Sequence, residues 1–217
     1  MSTNLWLELI TSTGQTLYMV LISGALAFII GLPLGILLFV TQAHKLIPHP
    51  FFNKCLAVVI NITRSIPFII LMLAIIPLTR LLLGTSIGTN AAIVPLTLAA
   101  IPFFARMIEN NLNELSPGLI EAGLAMGASP YQVVHFILLA EATPGIINSM
   151  TITLINLLAY SAMAGAVGGG GLGDLAIRYG YQRFNISVML ATIVVLVALV
   201  QCIQYMGDRG VKRCTHQ

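Results

Sequence analysis

Few side chains in this sequence could do chemistry, and most of them gather in two places. Four of the seven acidic residues, Glu109, Glu114, Glu121 and Glu141, fall between positions 109 and 143. The second place is a series Ser149, Thr153, Asn156, Tyr160 and Met163, spaced four, three, four and three, which puts all five on one side of a helix. Hydroxyl, amide, phenol and thioether groups in that order could line a path or bond to a neighbouring helix. They contain no nucleophile–base set. The chain also lacks a Gly-x4-Gly-Lys-Ser/Thr phosphate loop, a Gly-x-Ser-x-Gly elbow and a His-Glu-x-x-His pair. Of the four histidines, His44, His49 and His216 fall in loops or the tail, and His135 in the acidic segment. Cys55, Cys202 and Cys214 fit no metal or disulfide spacing. The expectation is no catalytic residue, no metal site and no cofactor held by this chain.

The elements that must position these groups follow from charge. Charged residues make up 8% of the 217 positions, against roughly 25% in a soluble domain, and 58% are hydrophobic. A soluble globule of this size still exposes about a third of its surface, so it could not hide that much apolar area. A soluble enzyme, a nucleic-acid binder and a disordered chain are poor readings. Uncharged runs cover 9–44, 81–105, 142–173 and 184–207, and a fifth, 55–79, is interrupted only by Arg64. Each exceeds the roughly 20 residues that a helix needs to cross the hydrocarbon core. Strand alternation is absent, which leaves helices as the spanning form.

The expected architecture is an all-α membrane protein of one domain over 1–217, with five spans near 14–40, 56–79, 88–108, 144–166 and 186–207. The first run follows an N-terminus without Lys or Arg and is too long for a signal-peptide core, so it reads as a retained span. Placing the C-terminus inside puts Lys45, Lys54, Arg64, Arg106, Arg209, Lys212 and Arg213 on or near the cytoplasmic side and leaves Arg80, Arg178 and Arg183 outside, which favours N-out/C-in. Gly31 and Gly35 in the first span allow close helix packing. Pro33, Pro67, Pro77, Pro95 and Pro102 permit kinks. Gly168–Gly171 and Gly173 predict an outer turn. Arg64, about a turn inside the membrane, reads as an anchor that reaches back to the cytoplasm. Arg106 and Glu109, three apart, predict an ion pair.

The segment 109–143 is too long to be a mere connector. Ser116-Pro117 predicts a hydroxyl cap and a helix running to Met126, ended by Gly127. Ser129-Pro130 with Gln132 predicts a second start with a capping box. On pattern alone, the first helix could simply lie on the membrane. The polar series on the fourth span reads either as a pathway or dimer-axis lining, with Met163 as a gate, or as interhelical bonding and packing.

Residues in this segment carry a resemblance. Glu121-Ala122-Gly123, then Gly127, then Ile137-Leu138-Leu139-Ala140 resembles the cytoplasmic signature of bacterial ABC-importer permeases: Glu-Ala-Ala, three residues, Gly, nine residues, Ile-x-Leu-Pro. Gly123 and Ala140 depart from it. The resemblance implies a type I importer permease in which 117–126 is a coupling helix that docks on an ATPase. The implied coupling positions are Glu121, Ala122, Gly123, Gly127, Ile137 and Leu139. Arg64-Ser-Ile-Pro67-Phe, Gly84-Thr-Ser-Ile-Gly88, Ala92-Ile-Val-Pro-Leu-Thr97, 160–168, Gly169-Gly-Gly-Leu-Gly173 and Tyr179-Gly-Tyr181 look like the methionine-importer permeases. That family implies a homodimer in the inner membrane, two copies of an ATPase that binds ATP and Mg, a periplasmic or lipoprotein binding protein, and D- or L-methionine as cargo. A permease for another amino acid or small solute is the alternative. A stand-alone channel or ion-coupled carrier would want an acid deep in a span, and none is there.

Overall fold

A computed structural model describes residues 3–43 and 45–215; His44 and His216 lie outside them. The order is α1 Thr3–Val40, α2 Pro50–Ser65, α3 Phe68–Ala74, α4 Ile76–Leu83, α5 Thr89–Glu114, α6 Pro117–Ala125, α7 Pro130–Gly165, α8 Gly171–Leu175 and α9 Ile186–Thr215. No strand occurs among the described residues. Helix α7 widens into a π turn at Val133–Leu138, and α8 continues as another at Ala176–Tyr181.

Four helices, α1, α5, α7 and α9, are long and apolar enough to cross a membrane. The expected second span is the exception. Its two pieces, α2 and α3, meet at 102°, so the count reaches five only if the bent pair is one span. The cause lies in the sequence. Pro67 has no N–H to continue the ladder of α2, and a residue before proline is pushed to extended backbone, as Ile66 is at φ −81°, ψ 124°. The chain breaks again at Ile75, and Pro77 starts α4. Three other expected bounds move. Helix α1 starts at Thr3 rather than near 14. The second loop helix and the fourth span are one continuous helix from Pro130. Helix α9 runs on through Arg209, Lys212 and Arg213.

The core lies between α1 and α5. A Cβ on Gly35 would come within 2.6 Å of both the Ala105 carbonyl and Ile108 Cβ, and one on Gly31 within 3.1 Å of the Ile101 carbonyl. Only glycine lets the two backbones approach so closely. Phe104, Ile108, Leu96 and Met19 are fully buried around this seam. Toward the N-terminal end of α1, Gln15 and Thr16 accept hydrogen bonds from the N–H groups of Gly171 and Leu172, at 2.9 and 2.8 Å. The expected glycine turn holds at 168–170, but Gly171 and Gly173 belong to helix α8.

Candidate functional site

Two regions can act. The first is the loop segment between α5 and the apolar part of α7. Its α6 begins at Pro117 without the expected cap, because the Ser116 hydroxyl makes no capping bond. Its end is closed as expected. The Gly127 N–H donates to the Leu124 carbonyl at 2.9 Å and the Ala128 N–H to the Gly123 carbonyl at 3.1 Å, the paired bonds of a Schellman turn. Gly127 sits at φ +81°, where a side chain would be strained. Ser129 then starts α7 with the full capping box. Its N–H donates to Gln132 Oε1 at 2.8 Å, and its hydroxyl accepts from the Gln132 N–H at 3.4 Å. Arg106 pairs with Glu109 at 2.5 Å, and buried Glu109 also accepts from Gln42 Nε2 at 2.8 Å. That bracket ties the end of α1 to the base of the loop.

The six residues of the signature divide in two. Glu121, Ala122 and Gly127 are exposed. Gly123 is buried, where a Cβ would meet Ile137 Cδ1 at 2.7 Å and Val133 at 3.2 Å. Ile137 is the neighbour that packs there, and Leu139 lines an apolar groove against α1 and α9. Gly123 packs the loop helix onto α7, half-buried Ile137 packs against it while also lining the cleft beside Met126, and half-buried Leu139 joins α7 to α1 and α9. Large side chains outside the signature do face out. Met126 is 78% exposed, Tyr131 73% and Phe136 67%, and Met126, Gly127, Gln132 and Phe136 line a shallow cleft of about 360 Å³. Apolar groups bared together on a polar loop mark a contact surface. The available signal was three bulky apolar residues inside the chain's most hydrophilic segment.

The second region is α7 and the helix break facing it. The polar series does not act as one stripe. Ser149 is buried and its hydroxyl accepts from Asn111 Nδ2 of α5 at 2.7 Å. The buried Thr153 hydroxyl donates to the Ser149 carbonyl at 2.7 Å. The Ser149 bond ties α7 to α5, while the Thr153 bond closes back on its own helix. Asn156 is half-buried. Tyr160 stacks on Phe68 with centroids 4.6 Å apart and planes at 6°. Met163 is 46% exposed, near the C-terminal end of α7. The open face of α7 is turned partly around the helix, along Glu141, Asn148, Ala159 and Met163, with Ile152 and Asn156 half-buried beside it. Polar spacing alone misses Asn148, because it cannot say which side of the helix meets a neighbour.

Arg64 lies at the same break. It lies fourteen residues past the start of α2, about 21 Å of helix axis, and one residue short of that helix's end. Its guanidinium lies 5.7 Å from the Phe103 ring centre. It is exposed at the mouth of a cavity beside the break. An arginine in mid-membrane costs about 2.5–3.5 kcal/mol unless it faces protein or water.

On the opposite side, the Tyr179 hydroxyl donates to Glu8 at 2.7 Å, which raises the phenol's ionisation above its ordinary range. The described residues contain no group of histidine, cysteine, aspartate or glutamate that could hold a metal ion.

The class is that of type I importer permeases, a helical fold that the chain shares with a family of transport components and a solved transporter chain. The chain belongs to the family of binding-protein-dependent transport system inner membrane components, whose model matches residues 29–213. It is therefore a multi-pass inner-membrane protein. It is 56% identical over 209 residues to a probable D-methionine transport system permease protein MetI of Vibrio cholerae, covering 96% of this chain and 93% of that one. The corresponding protein of Pasteurella multocida is 47% identical over 217 residues, the whole of both chains. A chain of the MetNI methionine ABC transporter, solved in inward-facing conformations, superposes with a TM-score of 0.97 at 51% identity over 99% of both chains.

Proposed function

We propose that this chain is the permease subunit of an ATP-driven importer of methionine, two copies of which form the pathway across the inner membrane. The observation that carries this reading is the match, over 99% of both chains at 51% identity, to a chain of a methionine ABC transporter. The missing phosphate loop supports placing ATP, Mg and hydrolysis on two partner ATPase subunits. The exposed Glu121, Ala122, Met126 and Phe136 suit a docking surface for such a subunit. A docking surface in the cytoplasm supports the N-out/C-in reading, with the C-terminus inside and the N-terminus outside. The outer face then meets a periplasmic or lipoprotein binding protein. The exposure of Met163, near the end of α7 far from the loop, supports reading it as a gate between the two copies.

The test is uptake of labelled D- and L-methionine by cells lacking their own importer. Expression with the partner ATPase and binding protein restores uptake, and omitting the ATPase abolishes it. Restored uptake without the ATPase would refute the reading. Gly127→Trp probes coupling separately. A side chain at φ +81° opens the Schellman turn, so hydrolysis continues while uptake falls, and membrane insertion is normal. Normal uptake by this variant would remove the docking role from the loop.

A further inference from the structure

The break between α2 and α3 leaves a cavity of about 230 Å³ that no role described so far uses. Thr63, Arg64, Phe68, Phe103 and Tyr160 line it, with Ala99 behind. Three of its features point to one kind of occupant.

The first is an uncompensated cation. Arg106 and Arg178 each pair with a carboxylate at 2.5 Å. Arg64 has no ion pair among the described residues and rests only against the Phe103 ring. A planar guanidinium held this way presents a fork that suits a carboxylate. The second is the end of α2. Pro67 has no N–H to give the Thr63 carbonyl, so the last turn of α2 is short of donors and carries the negative end of the helix dipole. Those carbonyls suit an ammonium. The third is aromatic. Phe68 and Tyr160 stack at 4.6 Å on one side, and Phe103 closes another. Such walls favour an apolar chain, and a thioether in particular. The Tyr160 hydroxyl has no hydrogen-bond partner among the described residues and is available to a ligand.

A cation beside carbonyl acceptors does not suit an inorganic anion, which the carbonyls would repel. It suits a zwitterion. Broken spans at mid-membrane are also where transporters place their substrate. We propose that this cavity is a subsite for the transported free α-amino acid within the permease. Its carboxylate meets Arg64, its ammonium meets the carbonyls ending α2, and its side chain lies among Phe68, Phe103 and Tyr160. The inference rests on the methionine-import reading and adds a site inside the membrane chain to it.

Photo-methionine, whose side chain carries a diazirine, tests the site in the nanodisc-embedded complex of permease and ATPase without binding protein. Light should label Phe68, Phe103 or Tyr160, and excess methionine should compete. Methioninol, which lacks the carboxylate, should compete about 10- to 100-fold less well, the range for losing a hydrogen bond to a charged group. Arg64→Gln should lose the label and this discrimination, while Arg64→Lys keeps part of both. Co-purification of each variant with the ATPase controls for folding. Labelling outside the cavity, or equal labelling of wild type and Arg64→Gln, would overturn the subsite. If the wild-type complex supplied with binding protein imports methionine yet shows no competed label, the subsite alone falls. If it imports no methionine, the transport reading falls, and the subsite with it.

Discussion

The α1–α5 seam and the α2–α4 limb are built from similar residues and packed in opposite ways. In the seam, glycines at 31 and 35 bring two long helices to backbone distance, and Phe104 and Ile108 are fully enclosed. In the limb, three short helices are separated by breaks at Ile66 and Ile75, and only Ile60, Phe68, Leu71, Met72 and Thr79 are buried. A tightly interlocked pair of backbones resists sliding. A limb of short helices with an extended joint at Ile66 can turn there without losing much contact. The contrast suits the seam to a frame and the limb to a moving part. It also places the proposed subsite at the joint, where a small turn would change its access.

The sharpest way to break this contrast is to hollow each region in the same manner. Phe104→Ala should cost about 3–5 kcal/mol, because the seam cannot collapse into the space. Phe68→Ala should cost clearly less, because its neighbours border an open cavity. Thermal unfolding of the two variants in the same detergent measures both. Equal losses would mean that the limb is as rigid as the seam. A smaller intrusion sharpens the point. Gly35→Ala adds one methyl against the Ala105 carbonyl and should cost about 1–3 kcal/mol, whereas the same change at Gly84, where no atom lies within 4 Å, is limited to the strain of its φ of +74°. The smallest contrast is within the loop. Ser129→Ala removes a formed capping box and should lower stability by about 1 kcal/mol, while Ser116→Ala should change nothing measurable. A comparable loss at Ser116 would show that its hydroxyl does cap α6.

What could be read from sequence divides along the range of the interactions. The Ser129 box, the Gly127 stop and the Arg106–Glu109 pair each involve residues within a few positions, and all three formed. The long helices followed from uncharged length. What could not be read depends on partners far along the chain. Ser149 and Thr153 look like a lining by their spacing, but Asn111, 38 residues away, turns Ser149 inward. Pro67 signals a kink, yet nothing in the run 55–79 distinguishes a bend from a break of 102°. Hydropathy therefore puts Arg64 in an apolar run without showing that it lies beside a joint. Ser116 shows that even a local pattern can go unused, since a hydroxyl in the right place must also rotate to the right N–H.

The unbroken course of α7 from Pro130 to Gly165 has a mechanical consequence. The contact surface near Phe136 and the outer end at Met163 lie on the same rod. Pro130 and Met163 are 33 residues apart, roughly 50 Å at the rise of an α-helix. A rod of that length is a lever. A tilt of about 5° imposed at the cytoplasmic end sweeps the outer end through about 4 Å, the width of a side chain. Force applied below is then delivered as displacement above in one movement, with no relay of side-chain rearrangements between them.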